Sequence, residues 1–418
     1  MIVLRLAWQS LSNRWITALL TILSIALSVG LLLGVEKVRT AARDSFSSTL
    51  SGTDLIIGAR TGDIQLLLYS VFRIGNATNN MSWKSYSDIA KRPEIKWIVP
   101  LSLGDSHRGF RVLATTRDYF KFYKFRDHQS LRFSSGNMFD DLFDTVIGAD
   151  VAKALHYSVG DKIIISHGIS TIGQKHDATP FRVAGILTKT GTPVDRTVHI
   201  SLKAMEAIHV DWRAGFKMPG RSTPAEVLRH MPLRTKAITA ALAGLKSRLQ
   251  TFTVQRYVNN YRAEPLSAVI PGLTLYKMWA LVGTAEKALI AVSLLVVTTA
   301  ILGMMIMIFS TLNERRREIS ILRSVGAGPA TIIGLLVSEA AILTALGVAL
   351  GTGTLYVLLW ASRSAIDQHY GLYVAITAPT GREYLALGAI LLGGLIAGFL
   401  PAWRAYRVSV ADGMIVRT

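Results

Sequence analysis

The sequence contains no cysteine. That excludes a disulfide framework, a thiolate metal site and a thiol nucleophile, although large exported domains often fold without disulfides, so no compartment follows from it. Several catalytic spacings are missing too. There is no G-x-x-x-x-G-K-[ST] phosphate-binding loop; Gly244-Leu245-Lys246-Ser247 approaches one but lacks the upstream glycine and lies in a helix-like pattern. ATP hydrolysis is therefore expected on another chain. Neither an H-E-x-x-H pair nor a G-x-S-x-G elbow occurs, which leaves little support for a hydrolase. His167, His176 and Asp177 lie close enough in sequence to hold zinc, but such spacing is weak evidence, and no metal ligand or catalytic residue is assigned.

Acidic residues are scarce. Asp and Glu number 27 against 46 Lys and Arg, a formal net charge of +19. The excess sits largely in the middle of the chain, scattered singly among acids, with no Lys/Arg run interleaved with aromatics as a nucleic-acid groove would need. No nucleic-acid partner is expected. A solvated basic surface accounts for the charge, and attraction to anionic membrane lipids is the sharper reading.

Charge is absent where it matters most. Residues 15–35, 288–312 and 384–401 carry none, and 330–361 carry only Glu339. A bilayer-spanning helix needs about 20 apolar residues, so four spans are expected. The first follows Arg5 and Arg14 as a signal peptide would, but it is longer than a usual signal core and no small-x-small site closes it. It reads as a retained anchor. Leu4, Trp8, Leu11 and Trp15 recur at helical spacing, which predicts an interfacial helix over 1–14.

The expected order is an interfacial helix (1–14), span one (15–35), an extracytoplasmic domain (36–278), span two (279–312), a loop (313–328), span three (329–361), a short loop (362–383), span four (384–401) and a tail (402–418). Arginines set the orientation. Arg5 and Arg14 precede span one, Arg315, Arg316, Arg317 and Arg323 follow span two, and Arg404, Arg407 and Arg417 follow span four, whereas Arg363 and Arg382 are balanced by Asp367 and Glu383. Both termini and the 313–328 loop are therefore expected in the cytoplasm, with the large domain outside.

That domain reads as α+β. Strands are predicted at 162–166, 181–187, 194–200 and 251–257, and helices at 151–155 and 235–249; 214–224 reads as a loop. In spans three and four, Gly347/Gly351 and Gly394/Gly398 form G-x-x-x-G pairs, which predict close helix packing. Glu339 is an intramembrane polar candidate, with a structural role favoured by its nearness to the cytoplasmic loop.

The most informative stretch is 313–329, NERRREISILRSVGAGP. Ile319, Ile321, Leu322 and Val325 alternate with Glu318, Arg323 and Ser324, as in a short amphipathic helix ended by Gly326 and Gly328. Such a helix is either a lever for a cytoplasmic partner or a topology signal. Glu314, Arg315, Glu318, Ile319, Gly326 and Ala327 fill the E-R-x-x-E-I-x-x-x-x-x-x-G-A pattern, and Pro401-Ala402-Trp403-Arg404-Ala405 fills P-A-x-x-A. Val146-Ile147-Gly148 and Val159-Gly160-Asp161 fill V-x-G and x-G-D. In these motifs and in its layout, the chain resembles the FtsX-like, MacB-type permease superfamily of ABC transporters, which includes MacB, LolC, LolE and FtsX.

The resemblance implies a multi-pass bacterial inner-membrane protein and a dimer, with a homodimer preferred to a heterodimer. A cytoplasmic ABC ATPase would be the partner, and a periplasmic adaptor or lipoprotein a further one. No cofactor is expected on this chain; ATP and Mg would sit on the ATPase. In contrast to MacB itself, a fused N-terminal ATPase domain is not expected on this chain. The resemblance further implies mechanotransmission that exports or extracts a lipid, lipoprotein, peptide or drug, with Glu314, Arg315, Arg316, Arg317, Glu318, Ile319, Leu322, Arg323 and Gly326 coupling to the ATPase. The alternative is an FtsX-like regulator of a cell-wall hydrolase, which the length of the external domain disfavours, and the four-span layout disfavours a ten-span sensor or resistance module.

Because the chain has no cysteine of its own, orientation is directly testable. Cysteines placed at Ser134 and Ser222 are expected to react with a membrane-impermeant thiol reagent in intact spheroplasts, and cysteines at Ser320 and Ser409 to stay unlabelled. Labelling at Ser320 from outside would reverse the orientation.

Overall fold

In the computed structural model, residues 2–168, 176–213, 216–218, 223–314, 316–370 and 376–407 are described. The chain divides into two compact units. One comprises Met1–Ala41, Gly283–Ala365 and Val374–Thr418; the other comprises Ala42–Val282 and Ile366–Tyr373.

The first unit is helical. A short helix, α1 (Ile2–Asn13), precedes α2 (Trp15–Ser48), and then come α3 (Pro271–Glu314), α4 (Arg316–Ser324), α5 (Pro329–Tyr370) and α6 (Gly381–Arg407). Helices α2, α3, α5 and α6 hold stretches long and apolar enough to cross a membrane: Trp15–Asp44, Pro271–Leu312, Pro329–Arg363 and Gly381–Arg404. Their outward surface is apolar; Leu20, Leu27, Leu295, Trp360 and Leu385 are all exposed, which suits a lipid solvent. Hydroxyls within these helices bond back to their own turns, as Thr21 Oγ1 does to the Thr17 carbonyl (2.9 Å) and Ser293 Oγ to the Leu289 carbonyl (2.9 Å).

The second unit is α+β, built on a ten-stranded mixed sheet. Its strands in chain order are β1 (Leu55–Ala59), β2 (Ile95–His107), β3 (Phe110–Thr115), β4 (Phe133–Gly136), β5 (Asp144–Ile147), β6 (Lys162–Ile163), β7 (Phe181–Leu187), β8 (Thr197–Ser201), β9 (Ala240–Leu245) and β10 (Leu266–Val269). Across the sheet the order is β10-β1-β9-β2-β3-β8-β5-β7-β4, with β6 pairing to β7. The β3–β8 and β5–β7 pairs are parallel and the others antiparallel.

Both faces of the sheet are covered, so its central strands read as unbroken apolar runs. Leu55, Ile57, Val112, Ala114, Val198 and Ile200 point into one core, closed by helices that include Trp83–Ala90, Leu202–Ile208 and Thr251–Asn259. Ile56, Val99, Leu101, Leu113 and Val146 point into a second core, filled by Tyr119, Phe120, Tyr123 and Leu66. His199 lies in this second region with no exposed surface. Burial pushes its pKa down to about 3, and the Arg73 guanidinium adds to the shift, so the ring is held neutral. Gly148 is fixed by contact: a Cβ there would come within 2.3 Å of the carbonyl oxygens of Val194 and Asp195.

Two sequence expectations are overturned. The 235–249 stretch is not a helix; it forms a two-residue strand, Ala237–Ile238, then β9, then a 3-10 turn, Arg248–Gln250. Its alanines suit a helix by propensity, but β9 lies between β1 and β2 with both faces buried. Small side chains are needed there, and at Gly244 a Cβ would meet the Trp97 indole at 2.2 Å. Conversely, 251–257 is not a strand but part of the helix Thr251–Asn259. Its β-branched residues fall at helical spacing, with Thr251, Val254 and Val258 buried. The strand predicted over 162–166 is shortened to β6, and that over 194–200 begins as a 3-10 turn, Pro193–Arg196, before β8. Part of the 214–224 loop lies outside the described residues.

The topology sets a test. β10 pairs with β1 through Ile56–Val269 and Ala59–Leu266. A fragment spanning 42–282 is expected to melt cooperatively in solution. One ending at residue 262 loses β10 and should melt at least several degrees lower or fail to fold, as followed by circular dichroism.

Candidate functional site

Helix α4 starts two residues after α3 ends. The side chains of 313–317, and so those of Glu314, Arg315, Arg316 and Arg317, lie outside the described residues. The remainder of α4 is amphipathic. Glu318 is exposed, Ile319, Leu322 and Arg323 are half-buried, and Ser320 is buried. The exposed apolar side chains are Ile321 and Val325, at 55% and 83%. They stand four residues apart, on one face of the helix. The coupling surface expected from the motif included Ile319 and Leu322; these are half-buried, whereas Ile321 and Val325 are exposed.

The end of α4 is sharply defined. Gly326 has φ +98°, its N–H donates to the Arg323 carbonyl (3.0 Å), and the Ala327 N–H donates to the Leu322 carbonyl (2.9 Å). This is a Schellman termination, which strongly favours glycine at the left-handed position. Pro329 then opens α5 at the first helical position, where its missing N–H costs nothing.

Helix α5 meets three neighbours. A Cβ at Gly347 would come within 2.6 Å of Ile25 Cγ2, and one at Gly351 within 2.4 Å of the Ala26 carbonyl oxygen, both on α2. On the α6 side, a Cβ at Gly394 would meet Thr344 Oγ1 at 2.2 Å and one at Gly398 would meet Ala340 Cβ at 2.5 Å. Thr344 Oγ1 also lies 3.5 Å from Met304 Sδ of α3. Both glycine pairs thus mark helix seams within this subunit. Glu339 is buried, one residue from the Ala340 contact.

An ion pair joins α2 and α6, and no motif pointed to it. Lys37 Nζ lies 3.2 Å from Glu383 Oε2, with the two side chains 8% and 2% exposed. Lys37 Nζ also donates to the Thr377 carbonyl (3.3 Å) and faces the Tyr356 ring at 5.7 Å. Glu383 Oε2 accepts the Thr380 N–H at 2.7 Å, the return half of a capping box at the start of α6. The T-x-x-E of Thr380 and Glu383 signals this cap in the sequence, but not the partnership with Lys37.

In the α+β unit, His167 and His176 come together, but Asp177 is exposed and apart from them. Asp105 and His209 join them instead. The hydrogen bond and charge of the Asp105 carboxylate raise the pKa of His167. Burial lowers that of the neighbouring His107, whose Nδ1 lies 2.7 Å from the Ile164 carbonyl.

Two family profiles match the chain: a MacB-like periplasmic core domain over residues 17–230, and an FtsX-like permease C-terminal region over residues 290–410. Over 128 residues, the chain is 30% identical to the macrolide export ATP-binding/permease protein MacB of Nitrobacter winogradskyi; this covers 31% of the chain and 18% of that protein. The chain therefore spans less than a fifth of that relative's length. Among solved structures, the periplasmic region of MacB from Actinobacillus actinomycetemcomitans matches at 11% identity and a TM-score of 0.33, covering 55% of this chain and 94% of that one. The extracellular domain of the ABC-type transporter YknZ from Gram-positive bacteria matches at 11% identity and a TM-score of 0.29, covering 52% and 99%.

Removing one partner of a buried ion pair leaves an uncompensated charge and costs about 3–5 kcal/mol. Lys37→Met is therefore expected to lower the melting temperature of the detergent-purified protein clearly, and the double variant Lys37→Met/Glu383→Gln should recover part of the loss. A double variant no more stable than Lys37→Met would mean that the pair does not couple α2 to α6.

Proposed function

Because the chain belongs to the ABC-transporter permease family built on a MacB-like periplasmic core domain and an FtsX-like C-terminal region, we propose that it captures a separate cytoplasmic ATPase on α4 and turns the ATPase's motion into movement of the α+β domain on the other side of the membrane. The cargo would be a lipid, lipoprotein, peptide or drug handled outside the bilayer. In this reading two permease subunits work as a dimer, both termini and α4 face the cytoplasm, and ATP and Mg bind to the partner.

The observation that carries the reading is the surface of α4. Two large apolar side chains, Ile321 and Val325, stand exposed on a helix that also bears Glu318 and Arg323. A topology signal needs only positive charge near the end of a span; it has no use for an apolar face. A docked lever needs one. The Schellman end at Gly326 and the immediate restart at Pro329 leave only 326–328 between Val325 and α5, so displacement of α4 has little slack to absorb it. The match of the MacB-like core domain through residue 230 favours a transporter over an FtsX-like regulator of a hydrolase.

Truncating a buried hot-spot side chain at an interface costs about 2 kcal/mol or more, roughly a thirtyfold loss of affinity. Ile321→Asp and Val325→Asp are expected to leave the protein inserted but to weaken capture of its ATPase by about that factor, while the triple change of Arg315, Arg316 and Arg317 to Lys is milder. The measurement is pull-down of the ATPase from membranes with matched permease levels. Undiminished capture by both Asp variants would leave α4 as a topology signal.

A further inference from the structure

Four side chains from three separate stretches of the chain converge in the α+β unit: Asp105, His167 with His176, and His209. One ligand atom from each lies within 4.8 Å of the others. Asp105 is near the end of β2 and is 1% exposed. A two-way backbone bridge between Ser106 and Ser166, with N···O distances of 3.0 and 2.8 Å, sets His167 beside it. The Ser106 hydroxyl donates to the Gly168 carbonyl (2.7 Å), and the His176 N–H donates to the Ile165 carbonyl (2.9 Å). His209 caps the C-terminus of the helix Leu202–Ile208.

From this geometry we infer that Asp105, His167, His176 and His209 form a binding site for a divalent zinc-class ion. A metal–ligand distance of about 2.0–2.2 Å in a tetrahedron places ligand atoms roughly 3.3–3.6 Å apart. The separations here are 3.1 Å for His167 Nδ1 to His209 Nε2, 3.3 Å for His167 Nδ1 to Asp105 Oδ1, 3.5 Å for His209 Nε2 to Asp105 Oδ2 and 3.7 Å for His176 Nε2 to Asp105 Oδ2. Three imidazoles and one carboxylate form a ligand set suited to zinc and its transition-metal neighbours.

The surroundings fit as well. His209 Nδ1 lies 2.8 Å from the Met205 carbonyl. A carbonyl accepts only, so Nδ1 carries the proton and the Nε2 lone pair faces the cluster. Such an outer bond orients a metal-binding imidazole and raises its basicity. Asp105 Oδ1 accepts the Gly168 N–H at 3.2 Å, while the buried Oδ2 accepts no hydrogen bond from the described residues. Among the described residues, only these histidines lie within ion-pair distance of Asp105, so any positive charge that offsets this buried carboxylate must sit within the cluster. The Trp212 ring walls the cluster, 4.5 Å from the His167 ring and 4.6 Å from the His176 ring. An ion here would tie β2, the strand-following segment 164–168, His176 and the 202–208 helix together. The inference goes beyond the transport reading and does not rest on it.

The test uses untagged full-length protein in detergent, stripped with EDTA, dialysed against zinc chloride and desalted. Elemental analysis should find one zinc per chain, zinc should raise the melting temperature, and cobalt(II) should give the visible absorption of a tetrahedral site and quench tryptophan fluorescence. His167→Gln, at a half-exposed position that folding should tolerate, and His209→Gln should each weaken zinc binding by at least about tenfold and abolish the cobalt spectrum. His230→Gln, outside the cluster, should bind as wild type. Zinc retained equally by His167→Gln, His209→Gln and wild type would be an adventitious ion only, and that result, or wild-type protein retaining less than half an ion per chain, overturns the site.

Discussion

The contact between the backbones of Ala26 on α2 and Gly351 on α5 is the constraint on which the membrane unit depends. Lipid tails are as apolar as leucine, so burying leucine gives helices little reason to associate in a bilayer; close van der Waals packing and hydrogen bonds must do it. Side chains would hold the two backbones apart, and Gly351 has none: a Cβ would stand 2.4 Å from the Ala26 carbonyl oxygen. The same device recurs on the opposite side of α5, where Gly394 and Gly398 admit Thr344 and Ala340. Helix α5 is therefore gripped on both flanks, and Glu339 is buried beside one of these seams.

Polar chemistry concentrates at the two ends of this apolar bundle. At one end, Lys37 and Glu383 tie α2 to the first turn of α6, with Tyr356 and the Thr377 carbonyl around the ammonium. At the other, α4 hangs between α3 and α5 on short connections. A bundle locked by glycine seams and an ion pair transmits displacement better than it absorbs it, because packed interfaces resist continuous deformation. This is the mechanical property that the proposed coupling role requires.

The membrane unit was legible in the sequence because lipid imposes one dominant rule, a long uncharged helix, and glycine spacing reports its seams. The α+β unit was less legible. With both faces of the sheet buried, β9 loses the alternation that identifies a strand, and its alanines imitate a helix; Thr251–Asn259 shows the reverse, a helix written in β-branched residues. The candidate site was legible as a motif but not as a surface. The pattern falls on α4, yet which of its apolar residues face outward depends on how the helix rests on its neighbours, and the exposed ones are Ile321 and Val325 rather than Ile319 and Leu322. The histidine cluster needed tertiary structure altogether. His167 and His176 are near in sequence, but Asp105 and His209 arrive from β2 and from a helix terminus.

The position of β1 has a consequence for how the protein is made. Leu55–Ala59 is among the first parts of the α+β unit to leave the ribosome, yet both of its neighbours in the sheet, Ala240–Leu245 and Leu266–Val269, are among the last. Until then β1 exposes two open edges and an entirely apolar sequence, the condition in which strands pair with the wrong chain. Contacts so distant in sequence form slowly. In the proposed orientation the unit cannot close until nearly the whole loop has crossed the membrane and α3 is about to enter it. Biosynthesis therefore has a vulnerable interval between insertion of the first span and the second, during which the emerging chain depends on shielding by chaperones or by the translocation machinery.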